Sequence, residues 1–164
     1  MDSFVWLNRG VIILGMTTML AVWSYRRGAA PEKFATAILL GMVVADRFNH
    51  FVFSGGKSVW ATSDYLTIEA GHLVIDSAAL IAFASIAVLG NRIYPAIMAG
   101  LQLCALLSHF SQITKMDFHP LAYAFLERSP FYLQMIVLAC GIALHVRRSK
   151  KFGPYRSWRR TTNQ

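Results

Sequence analysis

Long apolar stretches alternate with short polar turns along the whole chain. Each stretch is close to or above the ~20 residues that a helix needs to cross the hydrocarbon core of a bilayer. The stretches lie at about 5–25, 33–53, 65–89, 93–114 and 119–146. A lipid-exposed backbone must satisfy its own hydrogen bonds, and the alternation typical of a transmembrane barrel is absent. The pattern predicts an all-α fold, a polytopic bundle of about five transmembrane helices.

The fifth stretch is the least regular, because Glu127, Arg128 and Pro130 interrupt it. One interpretation places an interfacial helix at 119–126 before a short, kinked span. The count is then four spans plus a kinked or interfacial fifth. We expect one bundle over residues 1–146 and a basic cytoplasmic tail over 147–164.

The composition supports a membrane class of protein. Hydrophobic residues make up 55% of the chain and charged residues only 15%, which is too apolar for an ordinary soluble domain. The two cysteines, Cys104 and Cys140, lack the paired spacing of a zinc or redox motif and are interpreted as packing residues.

Most of the net charge of +8 lies after residue 146, where no acidic residue occurs. By the positive-inside rule this tail faces the cytoplasm, as do the cations of the first turn, at residues 25–33. The amino terminus is then outside. We expect the tail to contact anionic lipid headgroups or a protein partner. We expect no nucleic-acid binding, since the sequence contains no DNA- or RNA-binding module. The expected contact residues are Arg147, Arg148, Lys150, Lys151, Arg156, Trp158, Arg159 and Arg160.

Ionisable residues interrupt the apolar stretches at similar predicted depths. Glu69, His72 and Asp76 share one helical stripe of the third stretch, and Asp46 and His50 are four residues apart on the second. Intramembrane ionisable groups are costly and mark function or specific pairing. The set expected in the outer half of the bundle is Arg9, Asp46, His50, Glu69, His72, Asp76 and His109.

A cofactor site is one interpretation of these residues. Imidazole and carboxylate ligands from neighbouring helices bind divalent metals, and Glu69-x-x-His72 has the spacing of di-iron carboxylate bundles. Haem b is a second candidate, with His50 or His72 and His109 as axial ligands. The candidate ligands for a metal or haem are His50, Glu69, His72, Asp76 and His109.

A structural interpretation stands beside the cofactor site. Arg9 and Arg47 neutralise Asp46, Glu69 or Asp76, and the histidines act as hydrogen-bonding core groups. On the fifth stretch, a stripe of Gln134, Leu138, Gly141 and His145 is predicted to face neighbouring helices.

Several segments resemble small polytopic membrane proteins of α-proteobacteria. The similar residues are Asp76-Ser-Ala-Ala-Leu80, Asn91-Arg92-Ile-Tyr-Pro95, Gln102-Leu103, His109 and Ala122-Tyr-Ala124. The resemblance covers about half of the chain. It implies the bacterial inner membrane and no particular activity.

Three classes of function follow as hypotheses. The first is a small integral subunit or interaction partner of a larger membrane assembly, held together by its polar core. The second is a membrane-embedded metal-dependent hydrolase, or a haem or metal oxidoreductase. The third is a homo-oligomeric pore, which requires a polar face on the outside of the bundle.

Overall fold

The computed structural model describes residues 2–53, 70–113 and 120–159, with side chains described for 10–52, 71–109 and 129–159. Within these ranges the protein is all-helical apart from turns and one isolated β-bridge. The helices are α1 (Asp2–Arg27), α2 (Ala30–Phe53), α3 (Ala70–Leu89), α4 (Tyr94–Ile113) and α5 (Pro120–Phe152). The predicted all-α fold is confirmed, and each helix overlaps one apolar stretch.

Helix α5 differs most from expectation. It runs from residue 120 through the buried Pro130, so residues 120–126 belong to it and form no separate interfacial helix. Proline inside a helix removes one backbone hydrogen bond, a loss that packing against neighbouring helices offsets. The helix also continues past the predicted boundary at residue 146, because lysine and arginine favour helix and suit its carboxyl-terminal end.

Glycine ends α5 in a left-handed conformation. Gly153 has a φ of 78°, and its N–H donates to the carbonyl of Ser149 over 3.0 Å. This is the αL cap, which glycine adopts without the steric cost that a side chain adds. The chain after Gly153 is therefore free to turn back toward the bundle.

The helices pack in chain order, each against the next, and α5 also contacts α1 and α2. This arrangement brings the end of α1, the start of α2, the α3–α4 turn and the end of α5 to one end of the bundle. We call it the basic end, because the cations of the first turn and of the last helix lie there. The opposite end is the distal end.

The outside of the bundle is apolar. Three helical segments are long and apolar enough to cross a membrane: Ala30–Val52, Gly71–Leu89 and Ser129–Phe152. Large apolar side chains are exposed on every helix, for example Met19, Phe48, Ile81, Leu107 and Ile136. An apolar surface of this extent requires an apolar environment, as a membrane protein has.

An apolar layer fills the middle of the bundle. Leu39 of α2, Phe83 of α3, Met98 of α4 and Leu138 of α5 are almost completely buried and belong to one packed cluster. On α2, α4 and α5 these residues lie between polar side chains toward the distal end and others toward the basic end. The apolar layer therefore separates two polar regions.

Residues 153–159 fold back across the basic end. Trp158 forms the β-bridge with Gly90, and the Asn91 N–H donates to the Ser157 carbonyl over 3.1 Å. Arg159 donates from its backbone N–H to the Leu89 carbonyl (2.9 Å) and from Nε to the Gly90 carbonyl (3.1 Å). The described part of the tail thus pairs with the α3–α4 turn.

Candidate functional site

The polar residues of the distal half form two groups rather than one. The first, which we call the Asp46 cluster, joins α2 to α3 and consists of Asp46, Arg47, His50 and His72. The second, the Asp76 chain, joins α3, α4 and α5 and consists of Asp76, Gln102, His109 and Gln134. Helix α3 thus contributes one residue to each group, His72 to the first and Asp76 to the second.

Two histidines approach the same carboxylate oxygen in the Asp46 cluster. His72 Nε2 lies 2.8 Å from Asp46 Oδ1, and His50 Nε2 lies 3.5 Å from that oxygen. The two imidazole rings meet edge to face, with centroids 5.1 Å apart. Arg47 Nη2 contacts the other carboxylate oxygen at 2.6 Å. Asp46 is therefore held between a cation and two imidazoles.

Local sequence explains this convergence. Asp46 and His50 are one helical turn apart and so lie on the same face of α2. Gly71, next to His72, allows α2 and α3 to come close, because a β-carbon there would overlap the side chain of Asn49. The missing side chain thus lets His72 reach across to α2.

The Asp46 cluster contains three side chains that can act as metal ligands. Asp46, His50 and His72 each offer one ligand atom, and these three atoms all lie within 4.8 Å of one another. Two imidazoles and one carboxylate are a common ligand set for zinc and for non-haem iron. Ligand atoms of a tetrahedral zinc site are about 3.3 Å apart, given bonds of about 2.0–2.1 Å. The 3.5 Å separation already suits this distance, and the 2.8 Å separation has to widen slightly.

The Asp76 chain is a series of buried hydrogen bonds. Gln102 donates through Nε2 to Asp76 Oδ1 over 2.8 Å, and His109 Nε2 lies 2.9 Å from Asp76 Oδ2. Gln134 donates through Nε2 to Gln102 Oε1 (2.8 Å) and to the Met98 carbonyl (3.1 Å). Gln102 and Gln134 are almost fully inaccessible. Both oxygens of Asp76 thus accept hydrogen bonds from α4, and α5 is joined to the same chain.

The outcome differs among the residues predicted from sequence. His50, His72, Asp46 and Arg47 come together, and Arg47 pairs with Asp46 as expected of a neutralising cation. Asp76 and His109 lie in the other group. The side chain of Arg9 and all of Glu69 lie outside the described residues. The di-iron interpretation of Glu69-x-x-His72 therefore stays a prediction.

Each histidine proposed as a haem ligand contacts a carboxylate. Axial ligands lie on opposite faces of the macrocycle, with the iron between their nitrogen atoms. His50 and His72 meet edge to face beside Asp46, whereas His109 Nε2 lies 2.9 Å from Asp76 Oδ2. The haem interpretation with His109 stays a prediction, and the convergence of three ligand atoms concerns a small metal ion.

A third polar group, at the basic end, was not expected from sequence. Glu32, fully buried, accepts from the Ala29 N–H (2.9 Å) and from Arg92 Nε (3.2 Å). Arg92 Nη2 lies 3.3 Å from His145 Nδ1, which is also 2.9 Å from the Tyr155 hydroxyl. Because Arg92 only donates, Nδ1 is the acceptor. The sequence contained one indication of this group, because Glu32 is the only acidic residue in the cation-rich turn at residues 25–33.

Comparisons with protein-family models, with curated proteins and with solved structures find no match for this chain.

Proposed function

We propose that this chain is a five-span inner-membrane protein that binds a divalent metal ion at Asp46, His50 and His72. The single observation that carries the metal proposal is the convergence of three ligand atoms, from two helices, within 4.8 Å. Each of the three side chains is partly buried, so water is limited at the site without being excluded. This suits a metal that keeps an open coordination position.

The charges around the site are compatible with a cation. Asp46 supplies one negative charge, and the imidazoles bind metal in their neutral form. Arg47 Nη2 contacts Asp46 Oδ2, whereas both histidines approach Oδ1. We infer that Arg47 orients the carboxylate and leaves Oδ1 to the metal, as groups behind a ligand commonly do.

The chemistry that such a site supplies is Lewis acidity. A metal with three protein ligands and an open position lowers the pKa of bound water and polarises a carbonyl oxygen. A hydrolase at the distal face of the membrane is therefore the enzyme class that we attach to the proposal. The substrate would reach the site from the lipid or from the distal end.

The membrane arrangement belongs to the same proposal. Five helices, three apolar segments of spanning length and an apolar outer surface support five spans in the bacterial inner membrane. The cations gathered at the basic end support a cytoplasmic position for that end and an outside amino terminus. The metal site then lies in the outer half of the bilayer.

Metal analysis of the protein, purified in mild detergent without chelator, tests the metal site. We expect about one zinc, iron or manganese per chain, and a visible absorption band after replacement by Co²⁺. His72→Ala should lose the metal, because it removes one of three ligands. His109→Ala is the matched control, since it removes a buried histidine of the Asp76 chain and should retain the metal.

Two results would overturn the metal site. One is a folded wild-type protein that contains no metal and shows no Co²⁺ spectrum when titrated. The other is equal loss of metal in His72→Ala and His109→Ala while circular dichroism shows both variants folded.

A second candidate function is a subunit or partner of a larger membrane assembly. The observation that favours it is the Asp76 chain, whose hydrogen bonds join α3, α4 and α5 and fix how these helices pack. Native electrophoresis of mildly solubilised membranes tests it: a band well above the monomer mass supports a complex, and monomer mobility argues against one. The pore hypothesis has less support, because the outer faces of the described helices carry large apolar side chains.

A further inference from the structure

The surface of the basic end is positively charged, and none of its described side chains is an exposed carboxylate. Its one described carboxylate, Glu32, is fully buried and bonded to Arg92. Exposed cations come from α1, α5 and the folded-back tail. They include Arg26, Arg27, Lys150, Lys151, Arg156 and Arg159.

The tail joins these cations into one surface. Trp158 packs against Phe34 at the start of α2, with ring centroids 5.9 Å apart, and forms the β-bridge with Gly90. Tyr155 lies under the guanidinium of Arg92 at 4.3 Å and near that of Arg148 at 5.4 Å. The described tail is therefore held against the start of α2, the α3–α4 turn and the end of α5.

The surface also has the aromatic residues that lie at the level of lipid headgroups. Tyr25, at the end of α1, is exposed, and Lys33 lies over its ring at 6.0 Å. Phe152, at the end of α5, is exposed with Lys151 over its ring at 5.1 Å. Aromatic rings with a cation beside them fit the boundary between hydrocarbon and headgroups, where the ring is partly buried and the charge stays hydrated.

We propose that the basic end, closed by the folded-back tail, is a preformed binding surface for the phosphate of anionic phospholipids in the surrounding leaflet. A tail folded onto its own bundle has its cations fixed in place, so binding does not incur the entropy cost of ordering it. The position of the surface at the end of the apolar segments puts it level with the headgroups. An acidic protein partner would have to compete with lipids that are always present at that depth.

Native mass spectrometry of the full-length protein in detergent tests this surface, with added phosphatidylglycerol compared against zwitterionic phosphatidylcholine. We expect the wild-type protein to bind phosphatidylglycerol more tightly, by a factor that falls with added salt. The neutralising triple variant Arg147→Gln, Lys150→Gln, Arg156→Gln should lose about fivefold in affinity per cation. All three side chains are exposed, so we expect the variant to fold.

Two further variants separate charge from structure. Arg147→Lys, Lys150→Arg, Arg156→Lys conserves the charge and should keep the preference. Trp158→Ala removes the contact with Phe34 and should lower phosphatidylglycerol affinity severalfold, because the tail then has to be ordered on binding.

Equal binding of the two lipids by the wild-type protein would overturn the proposal, as would an unchanged preference in the neutralising variant. Unchanged affinity in Trp158→Ala would overturn the role of the folded tail. If lipid preference is absent and the neutralising variant instead releases a co-purifying acidic protein, the surface is a protein interface and the lipid proposal is wrong. None of these results depends on metal at the Asp46 cluster.

Discussion

The hydrogen bond between Gln102 and Gln134 gives the sharpest energetic test of the fold. It joins α4 to α5 over 2.8 Å between two almost inaccessible side chains. Replacing either residue by leucine keeps much of the volume but leaves a buried polar group without this partner. We expect each single substitution to cost about 1–3 kcal/mol, the usual range for an unsatisfied buried group.

The double variant Gln102→Leu, Gln134→Leu should cost less than the sum of the two single variants. Both residues are apolar in the double variant, so no amide is left buried without its hydrogen-bond partner and that free-energy cost disappears. Gln102→Leu also removes a donor to Asp76, but this loss occurs in the single and in the double variant and cancels in the cycle. Couplings across membrane helices average about 0.6 kcal/mol and reach about 1.7 kcal/mol. Because this pair is almost inaccessible, we expect a value in the upper part of that range.

Reversible unfolding in mixed micelles, followed by circular dichroism as sodium dodecyl sulfate is added, supplies the four free energies of unfolding. The reasoning is refuted if the two substitutions are additive within about 0.3 kcal/mol, as expected for independent sites. Additivity would mean that the two amides do not depend on each other, whatever their separation.

Glycine positions provide the remaining predictions. Gly141→Ala should destabilise the protein by about 1–3 kcal/mol, because its β-carbon would lie 2.9 Å from the ring of the buried Tyr94. Gly100→Ala is the control in the same unfolding assay. A β-carbon at Gly100 has no atom within 4 Å, so this substitution should be neutral or stabilising. Equal effects of the two would show that α4 and α5 do not approach closely at Gly141. Gly153→Ala should cost about 1–2 kcal/mol, because φ is 78°, and should make the tail more sensitive to protease. Gly153→Asn should be milder, since asparagine tolerates this conformation better.

The helices were predictable from the sequence, and the partners of their polar residues were only partly so. Hydrophobic length locates the helices because a spanning helix has a minimum length. Spacing along one helix likewise places Asp46 and His50 on a shared face. Both inferences are local, and the structure agrees with both.

Which helix a polar residue faces depends on how the helices rotate against each other. His72 and Asp76 are one turn apart, but four residues advance an α-helix by about 400°, so the two side chains point about 40° apart. His72 bonds to α2 and Asp76 bonds to α4. Depth alone had placed them in one cluster. The pairing of Glu32 with Arg92, 60 positions apart, depends similarly on how two turns meet.

The apolar layer limits the passage of ions along the inside of the bundle. A polar column running the length of the bundle would give protons and ions a route to discharge the membrane potential. Leu39, Phe83, Met98 and Leu138 interrupt that column with side chains that leave no donor or acceptor for a hydrated charge. An ion crossing this layer would lose its hydration without replacement, at a cost of several kcal/mol. Ionisable groups can thus lie at both ends of the bundle while its centre stays electrically insulating.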